Sequence, residues 1–400
     1  MSADVLIVGA GPGGSAAAIL LARAGLAVTV VDRAAFPRDK PCSEYMSPEA
    51  LRVLDRLGVL ADLEAAGAPL EGTIVTASRG ARLDGAFARA GHQPFRPAGL
   101  SIARRVLDAR LVEAARAAGA TVLERRTVED LIYDDGAVGG AVVREADGTR
   151  RVIRARLTIG ADGLRSVVAR RLGGQRYGRP RRIAFVGHFT GVPGVGRSAE
   201  MHVGTDGYVG LNAIGDGLTN VALVVPASRA RTAAGRPEEF FFDAVGGFPG
   251  VGDRVARDSI ARRVLVTGPF AASASRVIAD GALLLGDAAD FFDPFTGEGI
   301  CSALRGAELA ADTVPAALAE PGVVRAARLA PYRTARRRAF AGKWAVERLI
   351  GYGMWFPRLF DRAVGRLERR GLADTLIGVT GDFVPARAVL NPWFLARMVL

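Results

Sequence analysis

The chain is short of lysine, cysteine, histidine and tryptophan. Lys40 and Lys343 are its only lysines, so all but two of the 53 basic residues are arginine. So lopsided a preference fits a GC-rich coding sequence better than selection for phosphate contact. The arginines are also spread along the chain rather than gathered into one stripe. The net charge of +12 is therefore not read as a nucleic-acid signal. The two cysteines, Cys42 and Cys301, cannot build a disulfide framework, and no CxxC or Cys/His cluster offers a metal site. No run approaches the roughly 18–20 apolar residues of a membrane span. The apolar run Val5–Val8 follows Met1 closely, without the basic flank of a secretion signal, so a cytoplasmic location is expected.

Glycine and apolar residues are abundant. With half its 400 residues apolar, the chain can bury a large core, and two packed lobes sharing an interface are expected. Val5–Val8 reads as a buried strand, Ser15–Ala24 as a helix and Val28–Val31 as a second strand, which together make the βαβ unit of a parallel sheet. A helix over Arg105–Ala118 precedes a strand at Thr121–Glu124, and residues 127–159 read as a meander with turns at Asp135-Gly136 and Asp147-Gly148. Residues 182–268 are β-like. Residues 282–316 return to strand, turn and helix, and from Pro331 onward the chain is helical and arginine-rich. The first lobe is interrupted, so the two lobes are interleaved in sequence.

Gly9-Ala10-Gly11-Pro12-Gly13-Gly14 matches G-x-G-x-x-G through Gly9, Gly11 and Gly14. With 50 glycines in 400 residues, three given positions are all glycine about once in 500 trials, so the pattern alone is weak. Its context is stronger: it joins an apolar strand to a helix, and Asp32 follows at the end of the next strand, with Arg33 beside it. Glycines permit the tight turn, the helix start attracts a pyrophosphate, and Asp32 can accept from ribose hydroxyls. Downstream, Leu283–Leu285 delivers Gly286-Asp287 to a turn, and Asp293-Pro294-Phe295-Thr296-Gly297-Glu298-Gly299 opens the helix Cys301–Thr313. A third segment, Gly160-Ala161-Asp162-Gly163, and an arginine, Arg104, stand between them.

In this order, these four motifs resemble the flavoproteins of the p-hydroxybenzoate hydroxylase fold over roughly three-quarters of the chain. The resemblance implies an α/β fold: a Rossmann-like FAD-binding domain interleaved with a β-sheet-rich substrate domain, plus C-terminal helices. The expected segments are 1–75, 98–180 and 270–330 for the FAD domain, 76–97 and 181–269 for the substrate domain, and 331–400 for the helices. It further implies that Asp287 holds the ribityl chain and that the Gly297–Gly299 turn faces the flavin pyrimidine edge, where a positive helix end suits the charge gained on reduction. By the same resemblance Arg104 reaches the pyrophosphate, and Asp162 serves FAD and transient NAD(P)H contact. No second strand–glycine-turn–helix unit stands ready for a resident nicotinamide, so NAD(P)H is expected as a visiting reductant.

Phe36–Glu44, with Cys42 after the basic Lys40, is similar to the geranylgeranyl-reductase branch, which carries a cysteine near the flavin in this loop. Halogenases of the fold carry a W-x-W-x-I-P motif, and here no tryptophan precedes Trp344. The chain also departs from prenyl reductases, whose Y-x-W-x-F-P segment is replaced by Tyr208-Val209-Gly210-Leu211-Asn212-Ala213. Cys42 is either a thiol poised at the flavin or a small residue filling a tight loop. Tyr208 orients a substrate oxygen or packs, and His202 and His188 act as acid or base or are structural. The leading expectation is an NAD(P)H-driven monooxygenase hydroxylating a bulky apolar, aromatic or polyketide-like metabolite. The alternatives are a C=C reductase of an isoprenoid or other lipid-like substrate and a flavin-binding protein without turnover. The C-terminal helices, with Trp355-Phe356 and Trp393-Phe394 among arginines, either wall the substrate lobe or form an amphipathic surface for lipid or a carrier protein.

Overall fold

The computed structural model describes residues 2–399. Its first sheet has eight strands, built around parallel pairing of Ser2–Val8 with both Val28–Val31 and Arg150–Gly160. Thr121–Leu123 continues the sheet on one side and Ala282–Leu284 on the other, each also in parallel, and antiparallel Ile278–Ala279 lies beyond Ala282–Leu284. Burial on both faces explains why the Val5–Val8 stretch of the first strand is apolar throughout. Val5 and Ile7 enter a core with the helices Pro12–Arg23, Arg104–Ala117 and Gly299–Leu318. Leu6 and Val8 enter another core with Val128, Leu131 and Val143 on the antiparallel strands Thr127–Asp134 and Ala137–Arg144. Asp135 and Gly136 both take positive φ at the hairpin between those strands, as an Asp-Gly turn requires.

The first helix begins at Pro12 rather than at the expected Ser15, because proline suits the first helical position, where its missing N–H would be an orphan anyway.

The second sheet has seven strands, running from Ile260–Thr267 at one edge to Arg82–Ala86 at the other. One face, with Phe185, Phe189 and Leu223, packs on Phe241 and Phe242 of the helix Pro237–Gly246. The other face, with Val75, Leu83, Val186 and Val224, turns toward Val346, Val364 and Leu367 of the C-terminal helices. Gly72–Thr76 belongs to this sheet through parallel pairing with Ser198–Gly204, so the sheet takes up the chain ahead of the boundary expected at residue 75. The long helix Ala326–Gly353 likewise starts ahead of residue 331 and carries Pro331 within it.

Candidate functional site

A cavity holding about 1730 Å³ of empty space, open mouth included, lies between the two sheets. Its lining runs from Gly11 and Arg104 at one end to Val224 and Phe270 at the other. Its polar end is built on the first glycine turn. Gly9 takes φ +100°, and a Cβ there would sit 2.6 Å from the Ala161 carbonyl. A Cβ on Gly14 would lie 1.9 Å from the Gly9 carbonyl, so strand and helix meet through backbone at this point. Gly11 differs: its missing Cβ leaves space whose nearest atoms are the Arg104 and Arg38 guanidinium nitrogens, at 3.8 and 3.9 Å. The helix that follows has no side-chain cap and no acidic residue in its first turn, leaving its N–H groups available to an anion.

Three cations converge here. Arg104 is buried and makes a bidentate pair with Asp108, Nε and Nη2 each 2.8 Å from a carboxylate oxygen. Arg38 adds a contact to the same carboxylate at 3.0 Å. Lys40 lines the cavity beside Asp287; burial and then Arg104 push its ammonium below the ordinary lysine value, with Asp287 opposing. Burial also raises the Asp287 carboxyl, against the pull of Lys40 and Arg104. An excess of cation over carboxylate around an open helix start is what a diphosphate needs.

Asp32 is committed to backbone: Oδ2 accepts from Ala10 N–H and Oδ1 from Ala34 N–H, each at 2.8 Å. A carboxylate has about four acceptor sites, so capacity remains for a hydroxyl. Arg33 is exposed. Asp162 accepts from Val167 N–H at 2.6 Å, while its Oδ1 is buried without a partner; burial raises its carboxyl. Gly297 takes φ +73°, with the Tyr45 ring 2.6 Å from where its Cβ would be, and Gly299 lies near Asp287 Oδ1 and the Phe291 ring. Gly297, Gly299 and Asp287 all line the cavity.

The Cys42 loop closes the junction between the polar and apolar ends. Cys42 lines the cavity, its sulfur accepts from Glu44 N–H at 3.3 Å, and Arg104 reaches the same sulfur. Burial works against the charge on Arg104, but Asp108 and Cys42 outweigh it and hold the guanidinium above its ordinary value. Glu44, strained at φ +57°, accepts from Arg104 N–H and lies 2.7 Å from His188 Nε2, although that contact is not aligned as a hydrogen bond. Asn220 donates to the Ser43 carbonyl. The second sheet therefore clamps this loop, and His188 serves the clamp.

Two candidates are held by carboxylates. His202 binds Glu200 at 2.9 Å, and its ring lies against Gly250. Along Ser198–Gly204, Ala199, Glu200 and Met201 line the cavity, whereas His202 stands outside that lining and is held by Glu200. The Tyr208 ring lines the cavity, but its hydroxyl donates to Asp293 at 2.7 Å, and Arg182 holds the other oxygen of that carboxylate at 2.6 Å. Tyr208 thus ties the second sheet to the loop before Gly297, as a positioning residue. Sequence reasoning missed Arg38, Asp108 and Asp293 in these roles; the i,i+4 spacing of Arg104 and Asp108 was the one signal available for them.

A small polar cavity adjoins the large one at Asp287, Thr296 and Gly299, and Glu347 lines it with Lys343 and Arg336. Burial pushes the Glu347 carboxyl up to about 7, countered by Lys343 and reinforced by Asp290, Glu298 and Asp293. The folded value lies above that of an unfolded glutamate, roughly 4.3. Its favourable contribution is therefore complete below that lower value and is lost as pH rises through about 7. Glu347→Gln is expected to melt like the parent at pH 5 and above it at pH 8. Equal melting shifts at both pH values would show that Glu347 is ordinarily solvated.

The comparisons agree with this geometry. The FAD binding domain family matches residues 2–346. This chain belongs to that family. It is 31% identical over 370 residues to the digeranylgeranylglycerophospholipid reductase of Methanospirillum hungatei, covering 90% of this chain and 86% of that protein. It is 30% identical over 398 residues to the menaquinone reductase of Mycobacterium tuberculosis, covering 94% and 90%. A flavoprotein/dehydrogenase from Cytophaga hutchinsonii superposes with TM-score 0.84 at 20% identity, covering 99% of this chain and 96% of that one. A flavin-dependent brominase does so with TM-score 0.81 at 21% identity, covering 96% and 94%; these two show the fold alone. The chain is an FAD-dependent oxidoreductase of the p-hydroxybenzoate hydroxylase fold, akin to the geranylgeranyl-reductase branch. Among the described residues no helix is long and apolar enough to cross a membrane.

Proposed function

We propose that this enzyme reduces a carbon–carbon double bond in a long, apolar, isoprenoid-like substrate. The observation that carries the reading is Cys42, set beside Arg104 at the point where the cationic cradle meets a wall of Val75, Leu83, Val186, Val224 and Phe270. The curated relatives named above are reductases, which supports it.

Gly11, Arg38 and Arg104 would hold the FAD pyrophosphate. Asp32 would take a ribose hydroxyl, Asp287 the ribityl chain, and the Gly297–Gly299 turn the flavin edge, with Asp162 nearby. Reduced FAD, replenished by NAD(P)H, supplies a hydride equivalent. The chain must then furnish a proton, and the Cys42 thiol would donate it to the second carbon, leaving a sulfur beside Arg104. The apolar wall exposes few free polar groups, because Tyr208 is held by Asp293 and Asn212 donates to Ser101 at 3.1 Å. That suits a hydrocarbon chain, which needs shape and water exclusion rather than hydrogen bonds.

Hydroxylation of an aromatic substrate is the second reading. Asn220 favours it, since the residue lines the cavity and its Oδ1 is buried without a partner, an acceptor that a phenol-like hydroxyl would satisfy. Incubation of the reduced enzyme with menaquinone or digeranylgeranylglycerophospholipid under argon and under air separates the two. Gain of two hydrogens per double bond under argon is expected. Conversion confined to air, with gain of one oxygen atom, would sink the reductase reading.

A further inference from the structure

The large apolar side chains exposed on this protein are not scattered. Of the eleven, six fall between Leu349 and Trp393, and they include the three most exposed: Trp393 at 64%, Phe356 at 60% and Trp355 at 49%. A stretch of that length would carry about one by chance, so the clustering asks for an explanation. Tyr352 and Trp355 lie ring to ring at 5.4 Å. The helix Pro357–Arg369 continues the surface and packs on the helix Pro392–Val399 that carries Trp393.

Charge on this surface is sorted as well. Leu359, Arg362, Arg366 and Arg370 follow at spacings of three and four along the helix Pro357–Arg369 and its cap, so they share one face. The acidic residues of the same helix turn the other way. Asp361 accepts from Arg79 N–H and Ala81 N–H, and Glu368 from Asp84 N–H, all at the edge hairpin of the second sheet. The outer face is thereby left basic and studded with indole and phenyl rings. That composition matches the interface of an anionic bilayer, where rings sit at headgroup depth and each arginine near the surface gains attraction. A protein hot spot can carry the same residue types, but the apolar cavity walled by the C-terminal helices favours a lipid source over a water-soluble carrier.

The same helices wall the active cavity. Ile350, one turn before Trp355, and Leu376, Ile377 and Thr380 on the helix Ala373–Thr380 line it from within. We propose that the outer face of the C-terminal helices docks on an anionic phospholipid bilayer, from which an apolar substrate passes to the cavity. The docking stands on this surface alone, whereas the delivery of substrate rests on the function proposed above.

Flotation of the FAD-loaded enzyme with vesicles of phosphatidylcholine alone, or with one-third phosphatidylglycerol, tests the docking without reference to turnover. Binding to the anionic vesicles is expected, with little to the neutral ones and a fall at high salt. Two variants, Arg358→Glu/Arg362→Glu (Arg358 lies one turn before Arg362 and is exposed like it) and Trp355→Ser/Phe356→Ser, should each weaken it by about tenfold or more. Both should keep the parent's flavin absorbance and melting temperature, and the parent's turnover of detergent-dispersed menaquinone if the function proposed above holds. Failure of the parent to float, or flotation unchanged in both variants, overturns the proposal. So does a concentration-dependent dimer abolished by Trp355→Ser/Phe356→Ser, which would make a second copy of the chain the occupant.

Discussion

Gly14→Ala is expected to cost the protein both its FAD and a large part of its stability. The added methyl would stand 1.9 Å from the Gly9 carbonyl and 3.2 Å from the Ala161 Cβ. Neither neighbour can swing aside, because Gly9 N–H is bonded to the Val31 carbonyl and Ala161 N–H to the Val8 carbonyl. Overpacking ordinarily costs about 1–3 kcal/mol, and a clash between backbone segments belongs at or beyond the top of that range. A melting temperature lowered by about 5 °C or more is expected, with purified protein lacking flavin absorbance. Gly11→Ala is the control. Its methyl enters space bounded by the Arg104 and Arg38 guanidinium groups at 3.8 and 3.9 Å, where nothing in the protein must move. It should melt near the parent while FAD affinity drops by about tenfold. Equal losses in both variants would mean that the turn serves packing alone and the Gly11 opening has no ligand.

Cys42→Ala is expected to slow substrate turnover by about 100-fold or more while the bound FAD and its reduction by NAD(P)H stay near the parent's. A positioned general acid contributes typically about 10²–10⁴-fold. Cys42 is the thiol that lines the cavity, with Arg104 at its sulfur. Single-turnover oxidation of the reduced enzyme by digeranylgeranylglycerophospholipid, which has no quinone ring to take the electrons, reads the step directly under argon, and Cys42→Ser asks whether a hydroxyl can stand in. The FAD-reduction rate serves as the internal control, since Arg104 retains its two bonds to Asp108 in either variant. Should Cys42→Ala turn over within about threefold of the parent, the cysteine only fills the loop between Pro41 and Ser43, and the proton comes from elsewhere.

Tyr208 and His202 show where the sequence leaves a side chain's partners undecided. Both lie in a β-lobe with alternating apolar residues, and alternation indicates two faces without saying which face the cavity occupies. A shift of one residue exchanges them. Pairing of Ser198–Gly204 with Gly72–Thr76 on one side and Gly207–Ala213 on the other settles the register, and His202 goes to Glu200. Tyr208 does reach the cavity, but its hydroxyl meets Asp293, a residue 85 positions along the chain. No spacing rule anticipates such a pair.

The first strand–turn–helix was readable because its physics is local. Val5–Val8, three glycines and an apolar helix are contiguous, and the positive φ of Gly9 follows from the turn itself. Asp287 and the Gly297–Gly299 turn were readable for the same reason, each being a strand end or a helix start. Arg38, Lys40, Arg104, Asp108 and Cys42 come from two separate segments. Their meeting over Gly11 depends on how the loop after Val28–Val31 folds across the start of the helix Arg104–Ala117. The sequence by itself thus determined the fold class, the cofactor and the glycine cradle, since those follow from neighbours in the chain. The protonic and apolar halves of the site, and the outward face of the C-terminal helices, were decided only by tertiary packing, because burial and charge partners are set by residues far apart in sequence.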